Sequence, residues 1–161
     1  MVATYTYATA GGALPVGVAK QRVYIGTKAV SPTNDAFTEI ADVESFPGIG
    51  GSAELITTKT LTAVIYSKGT VSFGTGDMTC VIRNGDAGQA AVVAAGNDFS
   101  GTSFNFRIIG PDVASSTGTG TIRDIKALVM GTPVQYGTGS NVLMYKAALG
   151  FNSDFTATPA T

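Results

Sequence analysis

Chemistry in a protein needs groups that move protons, hold metals or attack carbon, and this chain of 161 residues is short of all three. It contains no histidine, so no Ser-His-Asp or Cys-His arrangement can be assembled and no imidazole can ligate a metal. The lone Cys80 cannot form an internal disulfide or a thiolate cluster, and its place in a strand pattern predicts a small buried core residue. Acids gather early, at Asp35, Glu39, Asp42, Glu44 and Glu54. The Asp42-x-Glu44 spacing puts two carboxylates on one face of a strand, formally open to paired-carboxylate chemistry, but a solvated acidic face or lining is the simpler reading. The runs Gly48-Ile49-Gly50-Gly51 and Gly74-Thr75-Gly76-Asp77 lack the lysine and the strand-to-helix setting of a phosphate loop, and read as turns. Arg22, Arg83, Arg107 and Arg123 are dispersed, without the interleaved aromatics that stack bases. Nothing points to a cofactor or to an enzyme.

Composition points elsewhere. Charged residues make up 13 % of the chain, about half the usual soluble share, and they nearly cancel to a net charge of -1. So few charges protect a small protein poorly against association, so much of its surface is expected to be covered by other copies. The near-neutral balance argues against tight nucleic-acid binding, which needs a basic footprint. No run of 18 apolar residues occurs, so no membrane span is expected. The mildly apolar stretch 11–19 is followed by Lys20 and Arg22 rather than preceded by charge, the wrong order for a signal peptide. The length is most simply one domain over 1–161.

The elements that must position any site are mainly strands. The clearest unit runs from Met78 to Ile109 as strand, turn, short helix, turn, strand. Asn84-Gly85 marks a turn, Asp86 is a plausible N-cap, and Gln89 three residues on completes the pattern of a capping box. The helix 86–96 is nearly all-round apolar and too short to stand alone in water, so it must press on a sheet or a neighbour. Its Ala90, Ala91, Ala94 and Ala95 would permit a close approach. On either side, Met78, Cys80 and Ile82 alternate with polar residues, as do Phe104, Phe106 and Ile108.

Elsewhere, 1–19 opens with alternating Tyr5 and Tyr7 and reads as a first strand or an arm onto a neighbour. Residues 22–27 form a strand, and 28–38 a polar link. Residues 35–43 fit a helix or the entry to a strand equally well. Residues 45–52 must be a loop, 53–65 is extended with a bend near Thr57-Thr58, and 66–69 is a turn. A strand starts at 70–73, and Gly74-Thr75-Gly76 interrupts or bulges it. Residues 110–120 form a long connection. Strands follow at 121–132, broken by Gly131 and Pro133, and at 142–149, and 156–161 is expected to fray. The expected fold is mainly β, a β-sandwich or curled β-barrel with one short α-helix packed against it.

Two short phrases then carry a resemblance: Val23-Tyr24-Ile25-Gly26-Thr27, and Phe37-Thr38-Glu39-Ile40-Ala41-Asp42-Val43. With Glu54 to Leu61, the aromatic and glycine of Tyr66 to Gly69, and the single helix between two strands, their order resembles the major tail tube proteins of long-tailed bacteriophages. That family is related to the tubes of contractile tails and type VI secretion. The resemblance spans roughly residues 20 to 150. It departs from the family phrase at Thr57, where an aspartate is usual, and at Ala41, where a glycine is common. It implies a structural subunit of the virion tail, made in the host cytoplasm, whose copies form stacked hexameric rings around a channel for DNA ejection. It further implies tape-measure, tail-terminator and distal tail proteins as partners, and DNA passing without specific binding. The 44–69 region resembles an extended hairpin reaching the next ring, with Phe46, Ile49, Leu55 and Leu61 as candidate contacts. Glu39, Asp42, Glu44, Asp77 and Asp124 are candidate channel-lining acids, because neutralised phosphates would hold DNA by counterion release whereas like charge lets it slide. A head decoration protein or a carbohydrate-binding module is the alternative.

Overall fold

A computed structural model describes residues 21–113, 118–136 and 142–161. Its strands are β1 (Arg22–Ile25), β2 (Thr38–Ile40), β3 (Val43–Ser45), β4 (Ser52–Lys59), β5 (Val64–Ser72) and β6 (Thr75–Val81). After helix α1 (Ala87–Gly96) come β7 (Phe104–Ile109), β8 (Ile122–Gly131), β9 (Val134–Gln135), β10 (Met144–Phe151) and β11 (Thr156–Thr158). Nine strands form one antiparallel sheet along the path β2-β1-β7-β8-β10-β6-β3, with β9 beside β10 and β11 beside β8. β4 and β5 form a separate two-stranded sheet.

Alternation explains the sheet. In β10 the side chains of Tyr145, Ala147, Leu149 and Phe151 are buried while their neighbours are half-buried, the period of two that puts successive residues on opposite faces. The same rule turns Met78 and Cys80 inward from β6, and Phe106 and Ile108 from β7. β2 and β3 stand at opposite ends of the pairing path, yet only Ala41 and Asp42 separate them in the chain. The sheet therefore curls until its two ends nearly meet. Among the described residues no strand pair closes the seam; the chain itself crosses it, through Asp42 at a φ of 54°. The fold is a mainly β, curled antiparallel sheet with one helix packed on it, open at one seam rather than closed into a barrel. The segment 35–43, which fits helix or strand by sequence, takes the strand form at β2.

Helix α1 packs across β8, β2, β1 and β10 and reaches the crossing point through Gln89. Asp86 caps it, its Oδ1 accepting from the Gln89 backbone N–H at 2.7 Å. The Gln89 side chain, however, does not turn back to complete the capping box. It is buried, and its amide donates to the carbonyls of Ala41 and Val81, each at 2.8 Å, while its oxygen accepts from the Arg83 N–H at 3.0 Å. One side chain thus ties the crossing point, β6 and the helix together. The closest approach is made by Gly88, where an added Cβ would run into the Glu39 carbonyl of β2. Of the four alanines, Ala95 is buried and Ala91 half-buried; Ala90 and Ala94 face outward, so glycine rather than an alanine stripe sets the distance.

Three expectations change in detail. The turn expected at Tyr66–Gly69 lies at Thr60–Ala63, where the Thr60 Oγ1 accepts from the Ala63 N–H at 3.0 Å. The run Val64-Ile65-Tyr66 has the β-branched and aromatic character of a strand, and β5 continues straight through 66–69. Likewise Thr57-Thr58 is not bent but lies inside β4. The tail 156–161, expected to fray, instead places Thr156–Thr158 as β11 opposite Ile122–Asp124 of β8. β10 pairs only with the far half of β8, so ladder groups stay open there, and a polar, threonine-rich strand can fill them without burying apolar surface. The break at Gly131 and Pro133 falls between β8 and β9, as expected. The tyrosines of 1–19 lie outside the described residues.

Candidate assembly surface

The five candidate channel-lining acids lie on four strands and the β2–β3 crossing. Asp124 of β8 sits opposite Arg107 of β7 in register, and the guanidinium grips it with two parallel hydrogen bonds of 2.7 and 2.9 Å. That hydrogen bonding holds the Arg107 pKa above its ordinary value, and the Phe37 ring lies 4.2 Å from the guanidinium carbon. Asp42 pairs with Arg83 at 2.9 Å, and Glu39 stands 4.0 Å from Arg22. Three of the five thus face an arginine. Glu44 on β3 and Asp77 on β6 are exposed, lie on neighbouring strands, and form no ion pair among the described residues.

The four candidate contact residues also divide. Phe46 and Ile49 pack against the core of their own subunit, and the Phe46 ring centroid is 6.4 Å from that of Phe106 and 6.5 Å from that of Phe151. Leu55 is 66 % exposed and Leu61 is fully exposed on the β4–β5 hairpin. Every residue of β4 and every residue of β5 except Gly69 is exposed, so the hairpin buries neither face. Its register is nonetheless definite, running from Ser52 opposite Ser72 to Lys59 opposite Val64 with one bulge between Ala53 and Leu55. Ile56, Ile65, Tyr66 and Val71 are exposed on it as well. A two-stranded hairpin with apolar side chains on both faces is marginal in water. It is an arm standing off the sheet with none of the described residues of its own subunit over it.

Sequence reasoning did not find two polar clasps that shape this surface. Asp35 accepts from the Thr27 N–H at 2.7 Å, the Thr27 hydroxyl at 2.6 Å and the Asn105 amide at 2.8 Å, pinning the 28–37 loop to β1 and β7. Partial burial pushes the Asp35 carboxyl up, but hydrogen bonds from Thr27, Asn105 and Ala36 outweigh it and leave the pKa below the ordinary value. Gln89 is the second. Each is an isolated polar residue with one partner far off in sequence, Asn105 for Asp35 and Ala41 for Gln89, and only the asparagine's place on an otherwise apolar-alternating strand hints at one of them. Cys80, buried as expected, has its thiol pushed up to about 11 by burial. Among the described residues no group of three or more acids or cysteines could hold a metal ion.

No protein-family model matches the chain, and no curated protein matches it in sequence. Solved structures do match in fold. A chain of the anti-feeding prophage (AFP) baseplate, 6-fold symmetrised, superposes with a TM-score of 0.67 at 14 % identity, covering 93 % of this chain and 99 % of that one. The SPP1 tail tube gives a TM-score of 0.59 at 15 % identity over 86 % of this chain and 77 % of that one. The sheath/tube terminator of an extracellular contractile injection system (PVC) in its extended state gives 0.65 at 10 % identity, over 90 % and 97 %. The chain has the fold of the tube and baseplate components of phage and contractile tails.

Proposed function

We propose that this protein is a structural subunit of a phage tail tube, whose copies build stacked hexameric rings around a channel that passes DNA during ejection. The observation that carries it is the β4–β5 arm, apolar on both faces and uncovered by the described residues of its own subunit, on a fold shared with tail components. In this reading the arm is covered by a copy in the next ring, which buries Leu55 and Leu61, while Phe46 and Ile49 brace its base. A contact between unlike patches repeats head to tail, which generates rings or filaments rather than a closed dimer. Glu44 and Asp77 are the acids that give a channel wall net negative character, since Glu39, Asp42 and Asp124 face arginines. The subunit acts without catalysis, in the virion tail, after assembly in the host cytoplasm, and meets tape-measure, terminator and distal tail proteins at the ends of the tube.

Electron microscopy of the purified protein at rising concentration tests this. Stacked rings or filaments are expected, and the double substitution Leu55→Glu, Leu61→Glu should abolish them while the subunit keeps its melting temperature. A protein that stays monomeric at every concentration and ionic strength overturns the reading.

A further inference from the structure

The arm and the sheet are one continuous pair of rails. β3 leads through residues 46–51 into β4, and β5 leads through Phe73 and Gly74 into β6. Ser45 lies opposite Thr79, and Ser52 lies opposite Ser72. The same number of residues therefore separates the two pairings on each rail, and the strand pairing stops on both rails at the same level.

Glycines occupy that level. Gly74 has a φ of +81° and Gly50 a φ of +139°. These glycines are not there for packing: a Cβ on Gly74 would meet nothing within 4 Å, and one on Gly50 only the Phe155 ring at 3.8 Å. What they supply is backbone freedom on both rails at one height. Below them the base is fixed. Phe46 and Ile49 pack on the core, Pro47 sits where a side chain at Gly76 would be, and the Phe151 N–H donates to the Gly74 carbonyl at 3.1 Å. Phe73, the first residue on the arm side of Gly74, also rests on the core and lifts with any swing of the arm. Above them, among the described residues, neither β4 nor β5 shares a substantial interface with any other element.

From this geometry we propose that the arm is a lever hinged at the Gly50–Gly74 level. It swings as a unit about two glycine pivots while its own register and the sheet below stay intact, the arrangement of a hinge in which a few residues absorb the change in φ and ψ. The proposal concerns the free subunit and does not depend on what the arm contacts. An arm hinged in this way reaches a range of positions before it is covered, and loses that freedom when it is.

Double electron–electron resonance on the free subunit tests it. Cys80 is buried with its thiol pKa raised, so it stays unlabelled, and three cysteine pairs are introduced in separate variants. Thr38→Cys with Lys59→Cys spans the joint, Ser52→Cys with Lys59→Cys lies within the arm, and Thr38→Cys with Thr158→Cys lies within the sheet. The pair across the joint should give a distance distribution at least about twofold broader than either control. Adding Gly74→Ala, which penalises positive φ, should shift or narrow that distribution and leave the pair within the arm unchanged; the pair within the sheet reports that the variant folds. A distribution across the joint as narrow as the controls overturns the hinge. So does equal broadening within the arm, which would mean local unfolding, or a distribution indifferent to Gly74→Ala.

Discussion

Strands β10 and β4 are each eight residues long, yet one is half buried and the other lies wholly in solvent. β10 is flanked by β6 and β8 and turns Tyr145, Ala147, Leu149 and Phe151 onto a shared core; among the described residues β4 has β5 on one side, nothing on the other, and nothing over either face. The difference lies in company and in pattern: β10 gathers its buried side chains on one face, whereas β4 carries Leu55 and Ile56 on opposite faces. A strand inside the curled sheet gains apolar burial for every other side chain, at about 25 cal/mol per Å² removed from water, whereas the arm gains only its ladder. The sheet is therefore where the subunit's stability resides, and the arm is where surface is left for something else.

Substitutions that break or sharpen that contrast fall in a definite order. The largest effect is expected from Phe106→Ala, which empties the centre of the curled sheet and should cost about 3–5 kcal/mol of unfolding free energy. The matched Tyr66→Ala on the arm should change the free subunit by no more than about 0.5 kcal/mol, while lowering the yield of any assembly. Chemical denaturation of the two variants side by side measures the contrast directly; equal losses would mean that the arm belongs to the core after all.

The seam comes next. Gly88→Ala brings a methyl group against the Glu39 carbonyl and should cost about 1–3 kcal/mol, even though alanine is the better helix former. Gln89→Leu strands the half-buried carbonyls of Ala41 and Val81 and should cost a similar amount, about 1–3 kcal/mol, with faster amide exchange at the ends of β2 and β3 before the rest of the sheet. If the seam exchanges no faster than β8 in that variant, the glutamine is not what ties it.

The smallest effect concerns the 28–37 loop, which, unlike the arm, is held down by polar contacts. Asp35 has a folded pKa below its unfolded value of about 3.9, so its contribution is fully present above that value and is lost as pH falls through the lower folded pKa. The stability gap between the native protein and Asp35→Asn should be constant from neutral pH down to about 4 and close below it. Thermal melts across pH 2 to 7 read this out, and a gap that persists unchanged at the acid end would assign the clasp to packing instead.

The sequence was readable wherever the governing physics is local. Met78 to Ile109 announced strand, capped helix and strand because capping, turn chemistry and period-two alternation act within a few residues. Cys80 read as core for the same reason. The hairpin's existence was readable, but its turn was not, since Tyr66 to Gly69 offers a glycine while Thr60 to Ala63 closes the turn through one threonine hydroxyl. The tail read as frayed because nothing in TATPAT reveals that β10 leaves half of β8 unpaired. The acids could be named but not sorted, because an arginine partner such as Arg107 for Asp124 arrives from another strand. Tertiary structure alone decided that the sheet curls until β2 meets β3, that Gln89 is spent on the seam rather than its own cap, and that Phe46 and Ile49 turn inward while Leu55 and Leu61 do not. The physical reason is common to all of these: pairing register and burial are set by which distant segments meet, and that information is shared between strands rather than written in any one of them.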